Sequence, residues 1–109
     1  MIRITIYQNA KSKCVGFRSE GHAEYEEAGQ DIVCAAASML IINTINAIET
    51  FTDGEFTLDS EESGFIDYHI TGDPSVEVSL LLDSLVLGLT SMEDDDNYSD
   101  YMDIIFEEV

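Results

Sequence analysis

From Ile32 to Ile48 the chain is apolar nearly all the way round the helix that it predicts. Asp31 stands just before this run and is a good N-cap, so a helix is expected from Asp31 to about Ile48 or Glu49. A helix of that kind is expected to be buried on several sides and not laid on a surface. The fold must therefore supply apolar cover. The longest apolar run, Ile32 to Ile42, is broken by Ser38 and reads as too short to span a bilayer.

The cover is legible on either side. Ile2-Arg3-Ile4-Thr5-Ile6-Tyr7 alternates apolar and polar residues, the pattern of a half-buried strand. Cys14 to Ser19 makes a second strand and a hairpin with the first across the polar Gln8–Ser12 turn. After the helix, Phe56–Leu58 and Gly64–Ile70 read as two more strands, although Phe65, Tyr68 and Ile70 do not alternate cleanly. Asp73-Pro74 is a helix start, a capping carboxylate followed by proline at the first helical position. Val78, Leu81, Leu82, Leu85, Leu89 and Met92 then fall at helical spacing, with Leu80, Val86 and Leu87 as a second apolar surface for the first helix or another subunit to cover. EDDDNYSD reads as an acidic linker, and Tyr101–Phe106 as a last strand. The expected fold is α+β, two-layered, with one mixed sheet, two helices and the order ββαββαβ. At 109 residues it is one domain, 1–109.

Charge is distributed unevenly. Arg3, Lys11, Lys13 and Arg18 are the four basic residues, and no Asp or Glu accompanies them in the first eighteen positions. From Ser19 onward come 23 acidic residues and no Lys or Arg, for a formal charge of −19. Such a surface repels phosphate backbones, which argues against direct nucleic-acid binding. It attracts a basic protein or peptide and speeds the encounter. The two cysteines form no CxxC pair and no secretory segment precedes them, so free thiols and a cytoplasmic location are expected, with no membrane partner.

Gly21-His22-Ala23-Glu24-Tyr25-Glu26-Glu27-Ala28-Gly29 reads as a mobile loop with glycine at both ends. It carries an imidazole at its start and leads to a thiol, Cys34, just inside the helix. With Asp31 as the cap, Cys34 is the third helical residue, where free N–H groups and the positive end of the dipole favour a thiolate and could hold an oxyanion. An unperturbed thiol is only about 3% ionised at pH 7, and a helix N-terminus lowers its pKa by about one unit or more. His22 can exchange a proton with Cys34 and then protonate a leaving amine. Asp31, Cys34 and Ser38 share one stripe of the helix; Asp31 could orient His22, and Ser38 could bond Cys34 or substrate. Each has a plainer reading: a core thiol, a surface histidine, a cap, and a serine bonded back to the Cys34 carbonyl. Cys14 reads as a core or edge residue and His69 as structural. A zinc site from His22, Cys34 and glutamates lacks paired-ligand spacing, so no metal or other cofactor is expected.

Gly21-His22-Ala23, then Gly29, Asp31-Ile32-Val33-Cys34-Ala35-Ala36 and Ser38 closely resemble the ribosomal-processing cysteine protease family, Prp. The resemblance covers essentially the whole chain. It implies a bacterial cytosolic cysteine endopeptidase, homodimeric, that removes a short N-terminal extension from a large-subunit ribosomal protein precursor, the twenty-seventh of that series. It also implies Cys34 as nucleophile and His22 as base, with Asp31 and Ser38 in support and Gly21 and Gly29 as loop hinges. The alternatives read from residues alone are a non-catalytic acidic module that binds a basic ribosomal protein, and a metal-dependent hydrolase.

Overall fold

The computed structural model describes residues 1–21, 28–61 and 64–109, and side chains in the first helix from Ile32 onward. Strands β1 (Ile2–Gln8) and β2 (Cys14–Glu20) come first, then helix α1 (Ala28–Phe51). Strands β3 (Phe56–Ser60) and β4 (Ile66–Ile70), helix α2 (Val76–Asp94) and strand β5 (Met102–Glu108) follow, with a 3-10 turn at Ser99–Tyr101 before the last strand. The sheet order is β3-β4-β2-β1-β5. Among the described residues only the β1–β5 pair is parallel, so the sheet is mixed, and the ββαββαβ order is as expected.

Asn9 closes the first hairpin. Its side-chain oxygen accepts from the amides of Lys11 and Lys13 at 2.9 and 3.1 Å, and Ser12 takes a left-handed φ of 62°. Register then sorts the side chains. Ile4 pairs with Ser19 and Ile104, Ile6 with Phe17 and Phe106, and Phe17 with Tyr68. Paired residues share a face, so Ile2, Ile4, Ile6, Phe17, Tyr68 and Met102 make one apolar floor, all buried. Val33, Ala37, Ile41, Ile45 and Ile48 of α1 and Val78, Leu82, Leu85 and Leu89 of α2 complete the core above it. Each large side chain buried here stabilises the fold by roughly 1.5–3 kcal/mol.

Several local expectations are revised. α2 is capped by Ser75, not Asp73: Ser75 is extended, and its hydroxyl accepts from the Val78 amide at 3.2 Å, which leaves Pro74 outside the helix. The acidic segment is not a plain linker, because α2 runs on to Asp94 and the Glu93 carboxylate accepts from the Ile104 amide on β5 at 2.8 Å. α1 is not buried on several sides, since a single helical layer on one sheet leaves the outer stripe Ile32, Met39 and Ile42 exposed. Leu81 and Val86 of α2 pack on the core and Gly88 faces Leu40, while Leu80 and Leu87 are open in the single chain. By length and composition alone the longer stretch Ile32–Phe51 is apolar enough to cross a membrane, as the core helix of a folded domain can be, and its inner ridge is packed in the core.

The opposite face of the sheet carries a polar cluster. Tyr7 donates to Asp67 Oδ1 at 3.0 Å and stacks on His69 at 4.6 Å, and His69 Nε2 lies 3.1 Å from the same carboxylate oxygen. Burial, then the Asp67 bond, push the Tyr7 phenol up to about 12; burial, then the Glu49 charge, do the same for Tyr68 on the inner face. An unfolded phenol titrates near 10. Both groups therefore hold their protons more tightly when folded, and their stabilisation is complete below about pH 10 and lost as pH rises towards 12. Urea denaturation at pH 8, 10 and 11.5 should show that loss, and Tyr7→Phe should make it smaller. An identical fall in the variant would refute a role for Tyr7.

Candidate active site

β2 ends beside the start of β1. There Gly21 adopts φ +88°, and a Cβ on it would lie 2.2 Å from the Met1 carbonyl oxygen, so no other residue fits without moving the chain. His22 follows immediately and, with the expected loop through Glu27, lies outside the described residues. α1 then begins at Ala28. This corrects two readings. Gly29 is a helical residue, not the far hinge of a loop, and Asp31 lies three residues inside the helix, not at its cap. Ala28 and Gln30 are good helix formers, and a carboxylate in the first turn is favoured by the dipole, so the helix extends upstream of the expected cap.

Cys34 consequently lies six residues beyond the first helical residue, and its amide belongs to the regular ladder. The free N–H groups of the first turn are not at the sulfur. Cys34 is only 9% exposed, on the ridge that carries Ala37 and Ile41 towards the sheet. It lines a cavity of about 230 Å³. The floor comes from Ile2, Ser19 and Gly21, and α1 supplies Cys34 and Ser38, one turn apart. The far wall comes from Ser60, Glu61, Gly64 and Ile66. Among the described residues Ser38 does not bond back to the Cys34 carbonyl, as Thr44 does to that of Leu40 at 2.8 Å.

Ser19, Ser60 and Glu61 were not singled out from the sequence. Ser19 had a usable signal, a hydroxyl on the apolar face of β2 just before the Gly21 turn. Ser60 and Glu61 had none, because only the β3–β4 pairing brings them across from α1.

The other thiol has a different setting. Cys14 is 5% exposed, its sulfur donates to the Gly16 carbonyl at 3.4 Å, and burial pushes its pKa up. It does not line the cavity at Cys34. A larger cavity of about 520 Å³ lies where α1 ends and α2 starts, lined by Phe51, Asp53, Glu55, Asp73, Ser75 and Glu77 among others. It holds neither cysteine nor histidine, and helix rise puts Phe51 about 25 Å from Cys34. Nucleophilic chemistry therefore belongs to the smaller cavity. Among the described residues no group of three or more His, Cys, Asp and Glu could hold a metal ion.

The family model for cysteine protease Prp matches residues 1–103. The chain belongs to the Prp family. It is 29% identical over 100 residues to the ribosomal processing cysteine protease Prp of Bacillus subtilis (strain 168), covering 87% of this chain and 89% of that one. It is 30% identical over 99 residues to the Staphylococcus aureus (strain Mu50) Prp, covering 89% and 92%. The fold agrees with a crystal structure of Staphylococcus aureus Prp in complex with a substrate peptide, at TM-score 0.90 and 25% identity over 98% of this chain and 100% of that one. A second Staphylococcus aureus Prp structure, in complex with a covalently linked product peptide, superimposes at TM-score 0.86 and 26% identity, with the same coverage. Membership makes this chain a cysteine protease, which displaces the non-catalytic binding module and the metal-dependent hydrolase as readings of its Cys and His.

Proposed function

We propose that this protease removes the N-terminal extension of a bacterial large-subunit ribosomal protein precursor, the twenty-seventh of the series, with Cys34 as nucleophile and His22 as general base. The observation that carries the assignment is the position of Cys34. Of the two thiols, it is the one on the wall of a cavity, in a chain whose relatives are named ribosomal processing proteases. The charge supports the substrate class: a surface at −19 attracts basic ribosomal proteins and avoids RNA.

The reaction is acyl transfer. The Cys34 sulfur attacks the scissile carbonyl carbon, and His22 takes the thiol proton and delivers it to the departing amine as the C–N bond breaks. Water then attacks the thioester, its proton passing to His22, and the freed thiol takes that proton back. With Cys34 away from the helix tip, thiol activation falls mainly to His22. Asp31 and Ser38 serve as supporting residues, and Gly21 as the hinge for the segment that follows it. Residues 1–109 work as one protease domain in the cytosol, in keeping with two unpaired thiols. A second copy covers the open apolar residues of the helical layer, giving a homodimer.

Incubating the reduced protein with a synthetic peptide spanning the extension boundary should yield two products identified by mass. Alkylation of Cys34 with iodoacetamide should stop the reaction. A peptide left intact, or cleavage that survives complete alkylation, would end this assignment.

A further inference from the structure

The two edges of the sheet are treated differently. At β5 the Glu93 carboxylate accepts from the Ile104 amide at 2.8 Å, so the fold itself closes part of that edge. β3 is the other edge strand, and among the described residues no strand pairs with its outer side. The Glu55 carbonyl accepts from the Thr71 amide at 2.8 Å, and the Glu61 amide donates to the Phe65 carbonyl at 2.9 Å. Backbone bonding alternates along an antiparallel pair. Glu55, Thr57, Asp59 and Glu61 therefore direct their backbone groups to β4, and those of Phe56, Leu58 and Ser60 face outwards.

The side chains of β3 sort into two rows. Phe56 and Leu58 pair with Ile70 and Tyr68 on the core face, yet Leu58 is 46% exposed, because the helices do not reach over this strand. Asp59 lies on the other face, directly opposite Asp67, a destabilising arrangement of like charges. Asp67 is bonded by Tyr7 and His69, whereas Asp59 forms no ion pair among the described residues. The strand also joins the two cavities. Ser60 and Glu61 line the one at Cys34, and Glu55 lines the larger one with Asp53, Asp73 and Glu77. Its five residues span about 17 Å.

We infer that the open edge of β3 is a docking strand for the substrate protein: an extended segment with alternating apolar and basic residues adds to the sheet there, between the Cys34 cavity and the larger one. The inference rests on the proposed peptidase reading, in which the protein held is a basic ribosomal one. Main-chain bonds to Phe56, Leu58 and Ser60 supply affinity, and alternate side chains supply selectivity. The apolar residues of the segment cover Leu58 and Phe56. The basic ones meet Asp59, Glu55 and the carboxylates of the larger cavity. A second copy of this chain fits poorly, since pairing β3 with itself brings two acidic rows together, and charge on an edge opposes such pairing.

The test measures cleavage of the full ribosomal protein precursor by two variants. Glu55→Gln with Asp59→Asn removes two charges and keeps side-chain size. Leu58→Pro removes an outward N–H that β4 does not use, a place where a sheet edge tolerates proline. Each should raise KM about threefold to tenfold with kcat unchanged, the effect of losing one or two exposed charge pairs or edge hydrogen bonds. Iodoacetamide should alkylate Cys34 at the same rate in all three proteins. Added salt should raise KM for the unmodified protein and narrow its advantage over the double variant. Thermal melting checks folding, and the double variant decides if Leu58→Pro does not fold. An unchanged KM in the folded variants overturns this inference and leaves the peptidase reading intact. A loss confined to kcat also overturns it, since the edge would then act on the chemistry and not on docking. A change from dimer to monomer in Leu58→Pro on size-exclusion chromatography overturns it too, by giving the edge to a second copy. No cleavage of the precursor by the unmodified protein overturns both.

Discussion

Cys34→Ala should abolish cleavage of the extension peptide, with kcat/KM down by at least about a thousandfold, while the protein stays folded. Covalent catalysis has no substitute for its nucleophile, so the loss should equal that of the whole thiol–imidazole pair. The structural cost is small: removing one sulfur from a residue at the cavity wall costs on the order of 1 kcal/mol, far less than typical domain stability. Cys34→Ser should be nearly as inactive, because a hydroxyl is a much weaker acid than a thiol and His22 cannot ionise it as readily. Cys14→Ala is the informative control. That thiol is packed in the core and bonded to the Gly16 carbonyl, so its loss should lower the melting temperature and leave the chemistry alone. Single-turnover assays read by mass, paired with thermal melts, separate the two effects. Normal cleavage by folded Cys34→Ala would remove this thiol from the mechanism.

How far the sequence reveals the fold depends on how local the cause is. The Ile2–Tyr7 alternation and the spacing of Val78, Leu82, Leu85 and Leu89 act within one element, and both elements form as read. The irregular pattern around Phe65 also has a local answer. β4 starts at Ile66, so Ile66, Tyr68 and Ile70 face the core, while Phe65 stays outside the strand with the Arg18 guanidinium 5.1 Å from its ring centre. The start of α1 was harder. An aspartate before an apolar run looks like a cap, and Gly29 between Ala28 and Gln30 obscures the helix-forming tendency of those two residues. That one-turn difference removes the helix tip as the source of Cys34 activation. The motif residues themselves were legible, but the cavity was not. Ser19 and Ser60 face Cys34 only through pairings across several strands, and Tyr7 meets Asp67 across 60 residues. Asp67 and His69 lie two apart on one strand and so share a face, yet from the sequence His69 reads only as structural.

Gly16→Ala should be the most destabilising single-atom-scale change in the sheet, lowering the free energy of unfolding by about 3 kcal/mol or more. Gly16 sits in β2, between Tyr7 on β1 and His69 on β4. Strands two apart in a sheet are separated by about 9.5 Å, yet the Tyr7 and His69 rings stack at 4.6 Å. They close that distance by leaning over β2 at the one position where it carries no side chain. A Cβ on Gly16 would lie 2.1 Å from the Tyr68 carbonyl oxygen and 3.1 Å from the His69 Cα, both backbone atoms that no rotamer change can clear. Relief requires β2 and β4 to part at the middle of the sheet, weakening the ladder and the stacked pair together. Gly72→Ala provides the scale. Gly72 has φ +74° and open space around it, so the substitution adds only conformational strain, about 1 kcal/mol. Urea denaturation of the two variants beside the unmodified protein measures the difference. A Gly16→Ala protein no less stable than Gly72→Ala would show that β2 and β4 do not approach this closely.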